Sequence, residues 1–276
     1  MLILERPWTR QPQTVVGVDW ANPLARELVG AWLPLFGDSL YDASRRIGTL
    51  TAVGSPVKTI STDGIQNALN GSSQYFTNTV QTLATQLPLT FSIIVVANQW
   101  DVIQRVFDIS TGTTANDVIG LRMDFSDSGR WCAQHYDGST DSNAASIRTS
   151  AEIGARRHLH GVFESLSSRK LYIDGVLINT STTAAVAPSE INRVTIGFAP
   201  WSSSEYFNGR VIAPKLWARA LTAEEVRTDY LNPWGVFAPR RIYIPTAAAA
   251  ASAPTITALS AISITATSAQ PRISYS

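Results

Sequence analysis

From residue 89 onward the chain is a succession of short apolar segments: "LTFSIIVVANQW", "QRVFDIST", "VIGLRMDFS", "GRWCAQHYDG", "RRHLHGVFES", "RKLYIDGVLINTST", "RVTIGFAP" and "FNGRVIAPKLWARAL". Each is rich in β-branched or aromatic residues and is bounded by Gly, Asp, Asn or Ser, which makes it a strand rather than a helix. A long series of such strands argues for an all-β sandwich or jelly roll. The sharpest turn signal is Asp174-Gly175 in "RKLYIDGVLI". Asp-Gly between apolar runs predicts a tight hairpin, because both central residues must tolerate positive φ. Residues 89–100 form a nearly continuous apolar run, the pattern of a strand buried on both faces.

The first 25 residues, with Pro7, Pro12 and Pro23, read as an extended arm. A first strand begins around Leu28, Val29, Ala31 and Trp32, and a short one falls within residues 48–53. Only "LTAEEVRTDYLN" has good helix grammar: Thr222 is the expected N-cap, Glu225 completes a capping box, and Pro233 ends the helix. "TAAAAASAP" reads as a linker, and "TITALSAISITATSAQPRISYS" as strand-forming sequence with little core of its own. The expected organisation is an arm at 1–25, a jelly-roll domain at 26–246, and a linker and strand tail at 247–276 that makes inter-subunit contacts.

A net charge of +1 gives no electrostatic case for nucleic acid. The single cysteine, Cys132, excludes an intrachain disulfide framework, and beside Trp131 it is expected to be a small buried hydrophobe. Neither a signal h-region nor a run of about 20 apolar residues is visible, so a soluble protein made in a cytoplasm is expected, without a membrane partner. Charged residues are only 16% while Trp and Tyr number eight each, a composition suited to buried cores and contact surfaces.

Four segments carry a resemblance. Residues 158–163, "LYIDG" at 171–175, Ile196-Gly197 and residues 207–225 ("FNGRVIAPKLWARALTAEE") resemble the concanavalin A-like jelly roll of the laminin G and pentraxin type. The resemblance implies a concanavalin A-like (laminin G-like) sandwich with one short C-terminal helix; that fold carries lectins, glycosidases and interaction modules alike. The opening "RPWTRQPQ…VDWANPLARELVGAW", the segment "LNPWGVFAPRRIYIP" and the closing "ITATSAQPRISYS" are similar to small virion-associated proteins of tailed bacteriophages. That second resemblance implies a virion structural protein, a decoration or accessory component of the head, or of a tail or fibre. Its partners would be other virion proteins such as the major capsid protein, further copies of itself and host glycans. The alternative is a carbohydrate-binding module that adsorbs particles to the host surface.

An enzyme is not expected. Glycosidases need two carboxylates across the scissile bond, and the strand motif Glu-x-Asp-x-(x)-Glu of the glycosidases of this fold is absent. No cofactor is expected. Ca²⁺ is the one ion considered, with Asp124 and Asp127 as candidate ligands and Asp137 and Asp141 nearby in loops, although turn formation accounts for these residues as well. His158 and His160 share a strand face and would suit a metal, but their place in a core strand favours a structural role. For carbohydrate, Trp201 and Tyr206 flank the hydroxyls of residues 202–204. The expected intermolecular contacts involve Trp8, Trp20, Trp234, Tyr243, Ile262, Ile264 and Ile273.

Overall fold

Alternation of apolar and polar residues, with turn formers between, is realised as a stack of antiparallel strands. The computed structural model describes residues 2–6, 8–35, 38–79, 87–112, 117–124, 129–138, 141–147, 152–188 and 191–244. The first strands are β1 (Leu2–Arg6), β2 (Leu28–Leu33), β3 (Tyr41–Asp42), β4 (Thr51–Val53), β5 (Val57–Ser61), β6 (Gly64–Asn70) and β7 (Tyr75–Thr79). The central ones are β8 (Leu89–Ala97), β9 (Gln104–Ser110), β10 (Val118–Asp124), β11 (Arg130–Tyr136), β12 (Asp141–Ile147) and β13 (Arg156–Ser165). The last are β14 (Ser168–Ile173), β15 (Val176–Ser181), β16 (Arg193–Ile196), β17 (Asn208–Trp217) and β18 (Arg240–Ile244), with helix α1 (Ala223–Leu231) before β18.

Two compact units are distinguished, Glu5–Arg240 and a smaller one comprising Met1–Leu4 with Arg241–Ser276. Strands β1 and β18 pair in a two-stranded sheet. Within the larger unit, sheet I has the order β12-β11-β10-β9-β16-β7-β4. Sheet II has the order β15-β14-β13-β8-β17-β2-β3, with β6 added on β17 and β5 on β6. Among the described residues no helix is long and apolar enough to cross a membrane.

One core lies between the sheets. Phe91, Ile93 and Val95 of β8 and Leu159 and Phe163 of β13 meet Phe107, Ile109, Ile119 and Leu121 of sheet I. Phe91 and Phe107 pack edge-on, with ring centroids 5.1 Å apart. A second apolar cluster covers the other face of sheet II: Ile94, Val162, Ile212 and Trp217 pack with Leu24, Val226, Trp234 and Phe237. Strand β8 is therefore buried along its whole length: Ile94 and Val96 are apolar on the outer face as Phe91, Ile93 and Val95 are on the inner one, and the buried hydroxyls of Thr90 and Ser92 donate to Arg219 O and Asp229 Oδ2. Each large side chain buried this way contributes about 1.5–3 kcal/mol of hydrophobic free energy.

The local signals act as their chemistry requires. Asp174 and Gly175 take φ of 52° and 78° and join β14 to β15, with Ile173 opposite Val176. The Thr222 hydroxyl accepts from Glu225 N at 3.3 Å, and a Glu225 carboxylate oxygen accepts from Thr222 N at 2.9 Å, closing the capping box.

The N-terminal segment differs from the extended arm read from the sequence. Val18, Leu24 and Ala25 are buried in the second cluster, and Val18 bridges to Phe237. The Trp8 indole N–H donates to Ala238 O at 2.8 Å, Asp19 N to Val236 O at 2.8 Å, and Ala238 N to Gly17 O at 2.8 Å. After β1, Pro12 and Pro23 keep residues 8–25 out of the ladders, while the apolar residues there gain burial by lying across sheet II. The tail at 247–276 lies outside the described residues.

Candidate functional site

The outward face of sheet I is polar, and strand alternation makes it so. In β10, Ile119, Leu121 and Met123 enter the core, leaving Gly120, Arg122 and Asp124 on the other side. Register then sets Gln134 opposite Gly120 and Cys132 opposite Arg122 on β11. On β9 a bulge intervenes: Leu121 pairs with Phe107, but Arg122 pairs with Arg105. The extra residue, Val106, is buried beside Phe107, and Arg105 is turned back to the outer face. Arg105 and Asp108, three apart, therefore share a face, with Arg105 Nε 4.0 Å from Asp108 Oδ2.

Above this face stands the loop at residues 199–206. Its base is closed by Phe207 N donating to Gly197 O at 3.0 Å, and by Phe198 stacked on Tyr206 at 4.3 Å and packed at a tilt against Tyr75 at 4.6 Å. Its tip carries Trp201 and Glu205 to Arg105. Arg105 Nε donates to Glu205 Oε2 at 2.7 Å, its Nη1 donates to Gln134 Oε1, and its guanidinium lies over the Trp201 ring at 5.1 Å. One cation thus fixes both the aromatic ring and the carboxylate. Beside them opens a cavity of about 550 Å³ lined by Arg105, Arg122, Gln134, Tyr136, Trp201, Ser202, Ser203 and Glu205. That volume suits a small ligand.

Charges here are balanced. Arg105 pairs with Glu205, and Arg122 Nη2 with Asp124 Oδ2 at 3.0 Å. Beneath them Asp108 is 1% exposed, and neither of its oxygens has a hydrogen-bond partner among the described residues. Burial pushes its carboxyl up to about 7, against the pull of the Arg105 guanidinium. Gly120 makes room for it: a Cβ there would lie 2.2 Å from Asp108 Oδ1. Cys132 is buried, and that burial pushes its thiol up to about 11, so it offers no thiolate at neutral pH.

A second cluster of titratable groups lies under helix α1. His158 and His160 point to the outer side of sheet II with Val162, and Asp229 of α1 descends onto them. His160 Nε2 is 3.0 Å from Asp229 Oδ2, which also accepts from Ser92 Oγ at 2.8 Å; Ser92 Oγ lies 2.8 Å from His158 Nε2. The two histidines and Asp229 have metal-like spacing, with ligand atoms within 4.8 Å of one another. The cation beside them is the ammonium of Lys215, which donates to Asp229 Oδ1 and, at 2.9 Å, to Pro233 O. A metal would have to share Asp229 with that ammonium, so the donor set fits an ion pair better than a metal centre. Burial alone would raise the Asp229 carboxyl, but the Lys215 ammonium and the histidine contacts hold it far below the usual carboxylate range. Burial and their mutual proximity keep His158 well below its ordinary value, and burial lowers His160 as well.

Of the residues singled out in the sequence, Trp201 is at the cavity, while Tyr206 holds the loop base and does not line it. Asp124 faces two arginines, Arg122 at 3.0 Å and Arg130 at 4.0 Å, cations with which Ca²⁺ would compete. Asp137 accepts from Val186 N at 2.8 Å, a long-range contact to the segment after β15. Trp20 is 51% exposed, with the Arg46 guanidinium 4.7 Å above its ring. Trp234, expected at an intermolecular contact, is buried in the chain's own second cluster, and Trp8 packs against the same cluster, because the opening segment folds back over sheet II. Tyr243 belongs to β18; Asp127, Ile262, Ile264 and Ile273 lie outside the described residues. The sequence reading missed Arg105, Arg122, Gln134 and Glu205. The available signal was a charged residue alternating with apolar ones in "GLRMD", although the bulge that recruits Arg105 has no such signature.

Solved structures share this architecture at low identity, which speaks for fold alone. Domain 4 of AbnA, an extracellular arabinanase of Geobacillus stearothermophilus solved with arabinotriose, is 17% identical with a TM-score of 0.51, covering 75% of this chain and 98% of that one. The receptor-binding domain of botulinum neurotoxin type G is 15% identical with a TM-score of 0.56, over 76% of this chain and 54% of that one. Trypanosoma rangeli sialidase in complex with sialic acid is 16% identical with a TM-score of 0.55, over 75% of this chain but only 33% of the sialidase. No curated protein matches the chain in sequence. Residues 70–227, more than half of the chain, match the Laminin_G_3 family, and with its two stacked antiparallel sheets the chain belongs to the concanavalin A-like lectin/glucanases superfamily.

Proposed function

We propose that the chain is a non-catalytic carbohydrate-binding domain whose ligand rests on the outer face of sheet I against Trp201. The observation that carries this reading is the clamp at Arg105: one buried guanidinium holds Trp201, Glu205 and Gln134 at the rim of the 550 Å³ cavity. A preset indole offers a stacking surface for a sugar ring, and the Ser202 and Ser203 hydroxyls and the Glu205 carboxylate supply directional contacts. Because two guanidiniums are matched by two carboxylates, the site favours neutral sugars. The arabinotriose complex of the arabinanase domain supports this reading by analogy of fold. Hydrolysis is disfavoured because Glu205 and Asp124 are tied to arginines and Asp108 is sealed beneath the face, whereas a glycosidase needs two carboxyls that reach the substrate.

A glycan array tests the proposal. Binding by the wild type, weakened about tenfold or more in Trp201→Ala, a loss of about 1.4 kcal/mol, is the expected result. Absence of binding to every glycan, or binding untouched by the substitution, contradicts it.

A specific observation also favours a place in a phage particle. Two of the three phage-like stretches, at the opening and at residues 231–245, are joined to each other by the Trp8–Ala238, Asp19–Val236 and Gly17–Ala238 hydrogen bonds and the Val18–Phe237 bridge. They frame the lectin-like domain as one element, which suits an accessory virion protein that displays a glycan-binding domain. Mass spectrometry of purified particles is expected to find the protein; its absence removes this reading and leaves the glycan-binding one standing.

A further inference from the structure

Past Glu205 lies a second cleft, about 290 Å³, lined by Asp101, Val102, Ile103, Ser204 and Glu205 itself. Glu205 is therefore a wall common to both clefts. Their chemistry differs. The first presents guanidiniums, an amide, hydroxyls and an indole. The second presents two adjacent β-branched aliphatic side chains, with a hydroxyl and two carboxylates around them. Val102 is 39% exposed, an apolar group that this chain leaves in water. Glu205 is fixed through Oε2 by Arg105 at 2.7 Å, and its Oε1 has no protein donor among the described residues.

We infer that the two clefts are adjacent subsites for one oligosaccharide and that the second receives the acetamido group of an N-acetylated hexosamine. The inference rests on the reading of the Trp201 cavity as a glycan site. An acetamido group carries three features, and the cleft answers each. Its methyl covers Val102 and Ile103, its amide N–H donates to Glu205 Oε1 or the Asp101 carboxylate, and its carbonyl accepts from Ser204 Oγ. A sugar bearing a hydroxyl at that carbon leaves both aliphatic side chains wet.

The test is calorimetric titration with chitotetraose and cellotetraose, β-1,4-linked tetrasaccharides that differ only in the acetamido or hydroxyl group at C2. The wild type is expected to bind chitotetraose at least tenfold more tightly. Val102→Asp, a change at an exposed position, is expected to reduce that preference below threefold, mainly through weaker chitotetraose binding; Trp201→Ala is expected to weaken both. Matching thermal melts of the variants show that folding is intact. Equal affinity for the two sugars, or a preference that survives Val102→Asp, overturns the inference and leaves the glycan-binding reading in place. Failure to bind either sugar also overturns it, and the glycan array then decides whether the broader reading falls as well.

Discussion

At the scale of single residues, the largest electrostatic commitment is the Lys215–Asp229 pair, with both side chains fully buried beneath α1. Removing one partner strands the other. Asp229→Ala is expected to destabilise the domain by about 3–5 kcal/mol, whereas the double variant Lys215→Met/Asp229→Leu recovers most of that loss. Urea denaturation measures both, and an Asp229→Ala protein of wild-type stability would refute the pairing. This network was half legible in the sequence. His158 and His160 could be read as structural from their strand, but nothing in "APKLW" or "RTDYL" says that Lys215 and Asp229 meet. Their contact exists only because α1 folds back over β17. His135 supplies a pH dependence. It is wholly buried, neither ring nitrogen has a hydrogen-bond partner among the described residues, and burial, with the nearby Arg169 charge, lowers it to about 4 from 6.5. Between those pH values the unfolded chain binds a proton that the folded chain refuses. Its contribution to stability is therefore complete above about pH 6.5 and lost as pH falls toward 4. Asp108, raised to about 7, works in the opposite sense, favouring the fold less as pH rises from 3.8. His135→Phe is expected to shrink the stability difference between pH 7 and pH 4.5 by about 2–3 kcal/mol in urea melts; an unchanged slope contradicts the assignment.

At the scale of elements, turn and cap chemistry carried over directly, and the bulge did not. Asp174 takes a left-handed conformation while its carboxylate accepts from His158 N at 2.8 Å and Arg157 Nη1 at 3.2 Å, so the hairpin is tied to the start of β13. Gly175 has φ of 78°, and a Cβ there would meet Tyr230 Cδ1 at 2.9 Å. Gly175→Ala is expected to cost about 1–2 kcal/mol, seen as a lower melting temperature. A neutral or stabilising result would mean that neither the conformation nor the contact with α1 constrains this position. By contrast, simple alternation predicts opposite faces for Arg105 and Asp108, because a strand pattern cannot show where one residue is inserted. The candidate site is built on that insertion, which is why the loop tryptophan was legible in advance while its cationic support was not.

At the scale of the whole molecule, sheet II is covered twice, by sheet I on one face and by the opening segment, α1 and residues 234–237 on the other. The jelly roll could be read from the order of its strands and the four family-like segments. Burial of the opening segment could not, since an extended proline-bearing stretch reads the same whether it packs on its own sheet or on a partner. On the polar outer face of sheet I the fold places Trp201, Arg105 and Glu205 together, where the proposed ligand would rest. The most direct measurement is a crystal structure of the protein soaked with the oligosaccharide that it binds best. The account predicts a sugar ring stacked on Trp201, with Glu205 and the Ser202–Ser203 hydroxyls within hydrogen-bond distance. A glycan bound elsewhere, with the Trp201 cavity filled only by solvent, would contradict it.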